Sequence, residues 1–326
     1  ARLGKKSPNL CYAGHTDVVP PGNIKDWTVD PFKPSVKNNH LIGRGANDMK
    51  SSIACFVSAV NKFLKKGKFN GSISFLITGD EEGLAINGTK KVVDYLKKKN
   101  EKIDFCIVGE PTNPNKLGEM IKIGRRGSLT GKIEISGTQG HVAYPHLSNN
   151  PINTLISICK KLKGKKLDKG NKNFQPSNLE FTAINVDNKA HNVIPARARA
   201  QFNIRYNNFH NASNLKKKIK SVVKNVCKSN KCKFKMEFIE NGDSFLTKPE
   251  KTIFIAKKII KKITKITPKF STTGGTSDAR FIRKIAPCLE FGLVNKTMHK
   301  VDECVSLTDL KKLTNIYRNI LENYFQ

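Results

Sequence analysis

The sequence is poor in acidic residues and in arginine, and it has no long apolar run. Only 26 Asp and Glu stand against 59 Lys and Arg, so the formal net charge is +33. No apolar run approaches the ~20 residues that a membrane-spanning helix needs. The first residues also lack the charged-then-apolar pattern of a secretion signal. We therefore expect a soluble, globular, cytoplasmic protein.

The cysteines do not suggest a disulfide framework. Eight of them are scattered along the chain, mostly inside apolar segments such as "IACFV" and "DFCIVG". That pattern predicts buried free thiols in a reducing cytoplasm. The pair in "CKSNKC", Cys227 and Cys232, has no second Cys or His pair nearby, so we interpret it as structural rather than as half of a zinc site.

The positive charge is mostly lysine, because only 10 of the 59 basic residues are arginine. The lysines form runs such as "FLKKGK" and "YLKKKNEK" on the polar sides of predicted helices, where water solvates them. No stretch interleaves Arg with aromatic residues, as proteins that bind single strands do. Binding of nucleic acid through its phosphates is therefore the weaker interpretation of the charge.

The few arginines suggest a different ligand. Five of them lie in glycine-rich segments or at strand ends, in a chain that otherwise uses lysine. Arginine presents a planar fork that matches a carboxylate, which lysine cannot copy. The sequence thus hints at a substrate that carries carboxylates. The five are Arg44, Arg125, Arg126, Arg205 and Arg280.

A chain of 326 residues is too long for one hydrophobic core, so we expect two domains. Strand and helix patterns alternate in 1–126 and again in 242–326, which predicts a three-layer α/β domain with a mostly parallel sheet. The order strand, helix, strand, strand, helix, strand in 127–241 predicts an inserted α+β sandwich. The first predicted helix, 49–67, carries apolar residues at helical spacing. These residues are Ile53, Phe56, Val57, Val60 and Leu64.

His15 and Asp17 lie two residues apart in "YAGHTDVVPPG", so in an extended segment their side chains leave on the same face. A carboxylate in that place can accept the imidazole N–H that does not face a metal ion. The His-x-Asp pattern alone is weak evidence, because the polar end of a strand has the same appearance.

Further acids and one histidine stand at comparable places along the chain. Several follow predicted buried strands, and the carboxyl ends of parallel strands meet at one sheet edge, where such sheets bind ligands. Asp48 precedes a predicted helix. Two divalent ions need roughly three protein ligands each, and the count is met if Asp48 bridges both ions. The candidate ligands are His15, Asp48, Glu82, Glu110 and His299.

Glu81 and Glu82 are adjacent, so they cannot point in the same direction. If Glu82 binds a metal ion, Glu81 is free to face the attacking water as the general base that hydrolysis requires. Asp80 is predicted to be structural and to support the turn that carries the two glutamates.

The motifs "GHTDVVP", "GRGANDMK", "GDEEG", "VGEPT" and "HKVDE", in this order, resemble those of the dizinc aminoacylase and carboxypeptidase family. The resemblance runs from about Asn9 to the C-terminus. Within the family, "GRRGSLTG", "GTQGHVAYPH", "HNVIPA" and "GGTSDARFI" are similar to the branch that hydrolyses the amide of N-succinylated diamino acids. We therefore expect a metal-dependent amide hydrolase of amino-acid biosynthesis.

The resemblance implies a role for each matched residue. His15, Asp48 and Glu110 would hold one Zn²⁺, and Asp48, Glu82 and His299 the other, with Co²⁺ as a substitute. Asp17 would orient His15, and Glu81 would be the acid/base. Residues 127–241 would form a lid and dimerisation domain whose His141 helps to stabilise the oxyanion in the partner subunit of a homodimer. The resemblance places in the substrate pocket Arg125, Ser128, Tyr144, Asn192, Arg205, Gly275, Thr276 and Asn295.

The sequence departs from the family pattern in three places. The family has a few dozen residues ahead of the first metal motif that have no counterpart here, so we expect either a fragment of a longer chain or a catalytic domain that lacks an edge layer. His191 stands where Asn is usual, and Ala279 stands where Gly is usual.

Two other functions stay open at this point. One is a related deacylase or dipeptidase, for example a deacylase that acts on acetylornithine. The other is an inactive basic protein that binds nucleic acid or a partner protein; it would bind no zinc, and salt would weaken its binding to nucleic acid. His40, His146 and His210 have no comparable context and are predicted to be surface or structural residues.

Overall fold

The computed structural model describes residues 1–164 and 166–326. The strands are β1 (Arg2–Leu3), β2 (Asn9–His15), β3 (Ser35–Lys37), β4 (His40–Ile42), β5 (Ser72–Thr78), β6 (Phe105–Val108), β7 (Met120–Lys122), β8 (Gly124–Arg125), β9 (Gly127–Ser136), β10 (Gly140–His141), β11 (Asn178–Asn185), β12 (Val193–Ile194), β13 (Arg197–Tyr206), β14 (Lys233–Gly242), β15 (Phe245–Leu246), β16 (Lys269–Ser271), β17 (Cys288–Glu290) and β18 (Cys304–Ser306). The helices are α1 (Ser51–Leu64), α2 (Thr89–Lys98), α3 (Pro151–Lys163), α4 (Ala212–Ser229), α5 (Lys251–Thr264), α6 (Ala279–Ile282) and α7 (Leu307–Tyr324).

The chain divides into two compact units. The first comprises Ala1–Gly124, Leu246–Thr272 and Ser277–Gln326, and the second comprises Arg125–Phe245 and Thr273–Thr276. These bounds differ by a few residues from the expected breaks at 126/127 and 241/242. Residues 273–276 join the second unit, where Arg125 Nη1 donates hydrogen bonds to the carbonyl oxygens of Thr273 (3.2 Å) and Gly275 (3.1 Å).

The main sheet of the first unit has the strand order β1-β5-β2-β6-β17-β7-β16, and β18, β4 and β3 form a smaller sheet. The central strands β5, β2, β6 and β17 of the main sheet are parallel to one another, and β16 is parallel to β7. β1 pairs antiparallel with β5, and β17 pairs antiparallel with β7. Helices cover both faces: Leu10 and Tyr12 of β2 pack into the core with α1, α5 and α7, whereas Cys11 lines a cavity with Val92 and Leu96 of α2. The expected α/β class with a mostly parallel sheet is confirmed.

Helix α1 buries only some of the apolar residues whose spacing predicts it. Phe56 and Val60 are buried, but Val57 and Leu64 are exposed, and Phe63 is buried instead. At about 100° per residue, position 63 lies within about 20° of position 56 around the helix axis, whereas position 64 lies about 80° away. The predicted helix is thus present, but Val57 and Leu64 of its apolar pattern face solvent.

The second unit contains the antiparallel sheet β11-β13-β9-β14. Along β13 every second residue is buried, as expected for a sheet with one face against a core. That face packs against α3 and α4. The order β9, α3, β11, β13, α4, β14 is the expected α+β sandwich.

The cysteines are all free thiols. Cys11, Cys106 and Cys288 lie in register on the neighbouring strands β2, β6 and β17, and all three are buried. In the second unit, the amide of Cys232 donates a hydrogen bond to the carbonyl of Cys227, so "CKSNKC" closes the end of α4. Within 1–164 and 166–326, none of the helices has both the length and the apolar character needed to cross a bilayer.

Candidate metal centre

The carboxyl ends of the parallel strands bring the candidate ligands of the first unit to one edge of the sheet. His15 is the last residue of β2, Glu82 follows β5, Glu110 follows β6, and His299 lies on the loop after β17. Because these four strands run in the same direction, their ends share an edge. The predicted gathering of these residues at one edge is present in the structure.

The side chains meet around a common centre. His15 Nε2 lies 3.2 Å from Asp48 Oδ1 and 3.8 Å from Glu110 Oε1. His299 Nε2 lies 2.9 Å from Glu82 Oε1 and 3.2 Å from Asp48 Oδ2. Asp48 thus presents one carboxylate oxygen to each histidine, which is the arrangement that a bridging ligand requires.

The donor set fits a pair of divalent ions. Imidazole nitrogens and carboxylate oxygens are zinc ligands at about 2.1 Å, so two ligand atoms on one tetrahedral ion lie about 3.4 Å apart. The distances in the cluster are of that size, and ligand atoms of His15, Asp48 and Glu82 all lie within 4.8 Å of one another. Glu110 Oε1 is buried and accepts no hydrogen bond from any residue in the described parts of the chain. A cation would compensate such an oxygen.

The loop before α1 positions Asp48. Gly45 has φ +79°, and a Cβ there would lie 2.6 Å from Val18 Cγ1, so only glycine fits. Asp48 has extended backbone angles (φ −121°, ψ 96°) between the loop and the helix, and the Asp48–Met49 peptide bond is cis. Met49 is fully buried. Its methyl group packs against Gly14 and Gly109, and a Cβ on either glycine would collide with it.

Asp17 contacts His15, but its nearest atom is not the expected carboxylate. His15 Nδ1 lies 3.0 Å from the main-chain carbonyl oxygen of Asp17 and 3.4 Å from its Oδ1. A carbonyl can only accept, so His15 donates from Nδ1 and keeps Nε2 for the centre. Oδ2 of Asp17 accepts a hydrogen bond from the amide of Glu82 at 3.0 Å, which joins the end of β2 to the loop after β5.

Asp80 closes that loop. Its φ is +64°, and its Oδ2 accepts hydrogen bonds from the amides of Ile86 (2.8 Å) and Asn87 (2.7 Å). These hydrogen bonds hold the pKa of Asp80 below its usual value. The expected structural role of Asp80 beside the two glutamates is confirmed.

Glu81 has the electrostatic environment of a general base. Burial raises the pKa of its carboxyl, and the nearby charges of Asp278 and Glu82 raise it further. The positive charges of His15 and Arg280 lower it, and the pKa settles at about 7. A carboxylate with a pKa near the working pH can both take and return a proton.

Asp278 is a buried acid near Glu81 that the sequence did not single out. Thr89 Oγ1 donates a hydrogen bond to Asp278 Oδ2 at 2.5 Å, and Thr89 Oγ1 lies 2.7 Å from Thr78 Oγ1. Burial raises the pKa of Asp278. The only sign in the sequence was an acid in "GGTSDARF", a segment noted for its glycines.

The carboxylates of the cluster favour protonation of its two histidines. Burial lowers the pKa of His15, but its hydrogen bond to Asp48 and the charges of Glu110, Asp48 and Glu81 raise it to about 10. Hydrogen bonds to Asp48 and Glu82 raise the pKa of His299 to about 10. Burial raises the pKa of Glu110, with Asp48 and Glu81 adding to the effect.

Arg44 does not have the expected role. It is buried, forms an ion pair with Glu303, and stacks its guanidinium 5.1 Å from the centroid of the Trp27 ring. The carboxylate that Arg44 recognises is therefore one of this chain's own. Arg280 lies over the ring of Phe281 at 4.7 Å, close enough for its charge to act on Glu81.

The other predicted arginines lie in the second unit. Arg126 Nη1 donates to the carbonyl of Pro176 and to Asn178 Oδ1, so this side chain fastens a loop. Arg125 is nearly buried and holds residues 273–275, as described above. Arg205 lies opposite Ser128 in the pairing of β13 with β9.

His141 lies on an exposed turn of the second unit. β10 pairs with β12, and next to this pair the amide of Val142 donates a hydrogen bond to the carbonyl of Asn192. The ring centroids of His141 and Tyr144 are 5.8 Å apart. His141 Nδ1 accepts a hydrogen bond from the amide of Ala143 at 3.0 Å. The neutral imidazole therefore carries its proton on Nε2.

The remaining candidates are distributed over the two units. Asn295 lies in the first unit, where its amide donates to the carbonyl of Asn113 at 2.8 Å. Gly275 and Thr276 lie in the second unit with Ser128, which is buried and accepts a hydrogen bond from Asn203. Contact of these residues with a substrate stays a prediction.

The histidines without a predicted role differ in their surroundings. His40 and His146 are exposed. His210 is structural: its Nε2 lies 3.0 Å from Asp168 Oδ2, and both side chains are nearly buried. Of the two residues that depart from the family pattern, Ala279 is buried at the start of α6 and His191 is exposed.

Comparison with protein families places the whole arrangement among known hydrolases. Residues 11–323 match the model of peptidase family M20/M25/M40. The chain is 67% identical to succinyl-diaminopimelate desuccinylase of Pelagibacter ubique (strain HTCC1062), over all of this chain and 85% of that protein. It is 50% identical to the enzyme of the same name from Parvibaculum lavamentivorans, over all of this chain and 82% of that protein.

Solved structures share the fold at low sequence identity. A metallo-carboxypeptidase of family M20 from Sulfolobus solfataricus is similar with a TM-score of 0.80 and 18% identity, over 99% of this chain and 87% of that one. A dinuclear metal-binding peptidase of family M20 from Bacillus subtilis is similar with a TM-score of 0.73 and 13% identity, over 99% and 84% of the two chains.

Proposed function

The chain belongs to peptidase family M20/M25/M40, and from this premise we propose that it is a succinyl-diaminopimelate desuccinylase. It hydrolyses the amide of N-succinyl-LL-2,6-diaminopimelate to succinate and LL-2,6-diaminopimelate, in the biosynthesis of diaminopimelate and lysine. The observation that carries the proposal is 67% identity, over the full chain, to a relative of that name. The meeting of two histidines and three carboxylates at one sheet edge supports it.

Two divalent ions, Zn²⁺ with Co²⁺ as a substitute, are the cofactors of the proposed reaction. His15, Asp48 and Glu110 would hold one ion, and Asp48, Glu82 and His299 the other. Bound ions of this kind polarise an amide carbonyl and lower the pKa of a water toward ~7. Two observations support this assignment: Glu110 Oε1 accepts no hydrogen bond from residues 1–164 or 166–326, and Asp48 contacts both histidines.

Glu81 is the proposed acid/base. It takes a proton from the attacking water and later gives that proton to the leaving amine. Its pKa of about 7 suits both steps, because neither direction of transfer is then strongly uphill near neutral pH. Asp17 orients His15 through the contacts at Nδ1 and ties the loop of Glu82 to β2.

The second unit is proposed to act as the lid and as the contact of a homodimer, in which His141 of one subunit serves the site of its partner. An imidazole that donates from Nε2 can stabilise the oxyanion that forms when the amide is attacked. The hydrogen bond from Ala143 to Nδ1 supports this role, because it leaves the proton on Nε2.

The substrate carries several carboxylates, and the proposed contacts include arginines that can pair with them. Because Arg125 already holds the loop of residues 273–275, part of its contribution would be to place Gly275 and Thr276. The proposed substrate contacts are Arg125, Ser128, Tyr144, Asn192, Arg205, Gly275, Thr276 and Asn295. The free cysteines are consistent with a cytoplasmic enzyme.

The first experiment combines an assay with one variant. The purified, zinc-loaded chain should release succinate from N-succinyl-LL-2,6-diaminopimelate much faster than it deacylates acetylornithine. Glu81→Gln should keep its zinc content and lose at least the 10²–10⁴-fold that a general base contributes. The control is Glu101→Gln, an exposed acid that pairs with Arg2. Turnover of Glu81→Gln equal to that of the unmodified chain would refute the mechanism.

A further inference from the structure

Glu303 is a fully buried acid of the first unit that is not one of the proposed metal ligands. Its Oε1 accepts hydrogen bonds from two successive amides, those of Asn47 (2.8 Å) and Asp48 (3.0 Å). Its Oε2 accepts a hydrogen bond from Arg44 Nη1. The main-chain carbonyl of Glu303 accepts a further one from the amide of Gly43 at 2.9 Å. One residue therefore fixes the loop at four points.

Arg44 makes this buried carboxylate possible. A buried charge is costly unless it is paired and its remaining hydrogen-bonding capacity is filled. Arg44 supplies the opposite charge, and its own position is fixed by the face of Trp27 and by a hydrogen bond from Nη2 to the carbonyl of Pro20. The pair Arg44–Glu303 is thus a rigid support rather than a mobile surface contact.

The support acts on the residue whose orientation the centre most depends on. Asp48 must direct one carboxylate oxygen toward His15 and the other toward His299. Its main chain has extended angles and lies outside the regular helix, so hydrogen bonds of α1 do not fix it. Glu303 lies four residues after His299 in the sequence, so the segment that carries His299 also anchors the amide of Asp48.

We infer that Glu303, held by Arg44, is a positioning residue that fixes Asp48 as the bridging ligand. The inference rests on the proposed metal centre. It requires a carboxylate at 303, since Gln has one acceptor oxygen and an NH₂ group that would face an N–H donor on one side. Partners of metal ligands that hold them in place typically contribute 10–100-fold to metal affinity.

The test measures Zn²⁺ affinity by competition with a chromophoric chelator, with the visible absorption of the Co²⁺-loaded chain as a second readout. Glu303→Gln should bind Zn²⁺ about 10–100-fold more weakly, with an altered Co²⁺ spectrum. The matched control is Glu119→Gln, because Glu119 also accepts from two successive amides, those of Asn115 and Lys116. Glu119→Gln should bind Zn²⁺ like the unmodified chain.

A double variant separates positioning from stability. Arg44→Met with Glu303→Met leaves no unpaired buried charge, so it should stay folded even if the single variant does not. It offers no acceptor to the amides of Asn47 and Asp48, so its Zn²⁺ affinity should stay low. Zn²⁺ affinity equal to that of the unmodified chain, in either variant, would overturn the inference alone. An unmodified chain that binds no divalent ion would overturn the proposed centre as well.

Discussion

Metal loading of this chain should release protons, and its affinity should depend steeply on pH. In the metal-free cluster the pKa of His15 is about 10, because its hydrogen bond to Asp48 and the charges of Glu110 and Asp48 outweigh the effect of burial. An imidazolium cannot bind a metal ion, so the proton on Nε2 must leave first. Because pH 7 is three units below the pKa of His15, removing this proton costs about 4 kcal/mol. That cost lowers the affinity for the metal ion about a thousandfold.

The assay is calorimetric titration of the metal-free chain with Zn²⁺ at pH 6, 7 and 8, in buffers with different enthalpies of ionisation. Because one proton leaves His15 for each ion bound there, affinity at that position should rise about tenfold per pH unit. His299, whose pKa is also about 10, should add to the proton release. Its contribution should be smaller than that of His15, because its side chain is more exposed and water screens its interaction with the carboxylates.

The stability of the metal-free chain should change in the opposite direction. A raised histidine pKa stabilises the folded state fully below the unfolded pKa of 6.5, and this contribution is lost as the pH rises through about 10. The metal-free chain should therefore become less stable to urea from pH 7 to 10. A Zn²⁺ affinity that does not change between pH 6 and 8, with no buffer-dependent heat, would refute this account of the cluster.

Two further predictions concern stability. Burial alone would raise the pKa of Asp168, but hydrogen bonds from Ser177, Gly170 and Asn207 lower it to about 2, so Asp168→Asn should cost about 2 kcal/mol in urea unfolding at pH 7. That difference should shrink below pH 4 and disappear below pH 2, and the exposed Asp187→Asn should cost much less at any pH. Gly109→Ala places a Cβ 1.8 Å from the hydroxyl of Tyr12, so it should lower the free energy of unfolding by about 1–3 kcal/mol. The matched control is Gly79→Ala, because Gly79 follows β5 as Gly109 follows β6. A Cβ at Gly79 meets nothing within 4 Å, so this variant should be nearly neutral.

The sheet could be predicted from sequence because its strands are short apolar segments with clear ends. The apolar segment "DFCIVG" contains β6, and His15 of "YAGHTDVVPPG" is the last residue of β2. Parallel strands bring their carboxyl ends together whatever the loops do. That rule brings His15, Glu82 and Glu110 to one edge of the sheet, and hydrogen bonds to the side chains of Asp17 and Asp80 then hold the loop of Glu82.

Helix faces were harder to predict, because a few apolar residues fit more than one face. The apolar spacing in α1 includes Leu64, but the buried face of the helix is the one that carries Phe56, Val60 and Phe63. Apolar residues can also be exposed at little cost, so their presence in a helix does not fix its orientation. Only the contacts with α7 and the sheet decide which side of α1 is buried.

Arginine at position 44 was interpreted as a ligand for a substrate carboxylate, and the chemistry of that interpretation was right while the partner was wrong. The carboxylate belongs to Glu303, which is 259 residues away in the sequence. No local pattern relates two residues at that separation, because their contact exists only after the sheet has formed. The same holds for Asp278, whose effect on Glu81 depends on the folded arrangement.

The two kinds of ligand in the cluster therefore differ in what fixes them. His15 ends β2 and Glu110 lies two residues after β6, so main-chain hydrogen bonds of the sheet set their positions, and side-chain substitutions elsewhere should move them little. Glu82 lies on the loop after β5, which the side chains of Asp17 and Asp80 hold. Asp48 follows no strand, and the nearest regular hydrogen bonds begin after it, in α1. The amide of Asp48 donates a hydrogen bond to the side chain of Glu303, which lies in the loop before β18. As the proposed bridging ligand, Asp48 should therefore be the part of the centre most sensitive to distant substitutions, and the Zn²⁺ affinity of variants at residue 303 should show this.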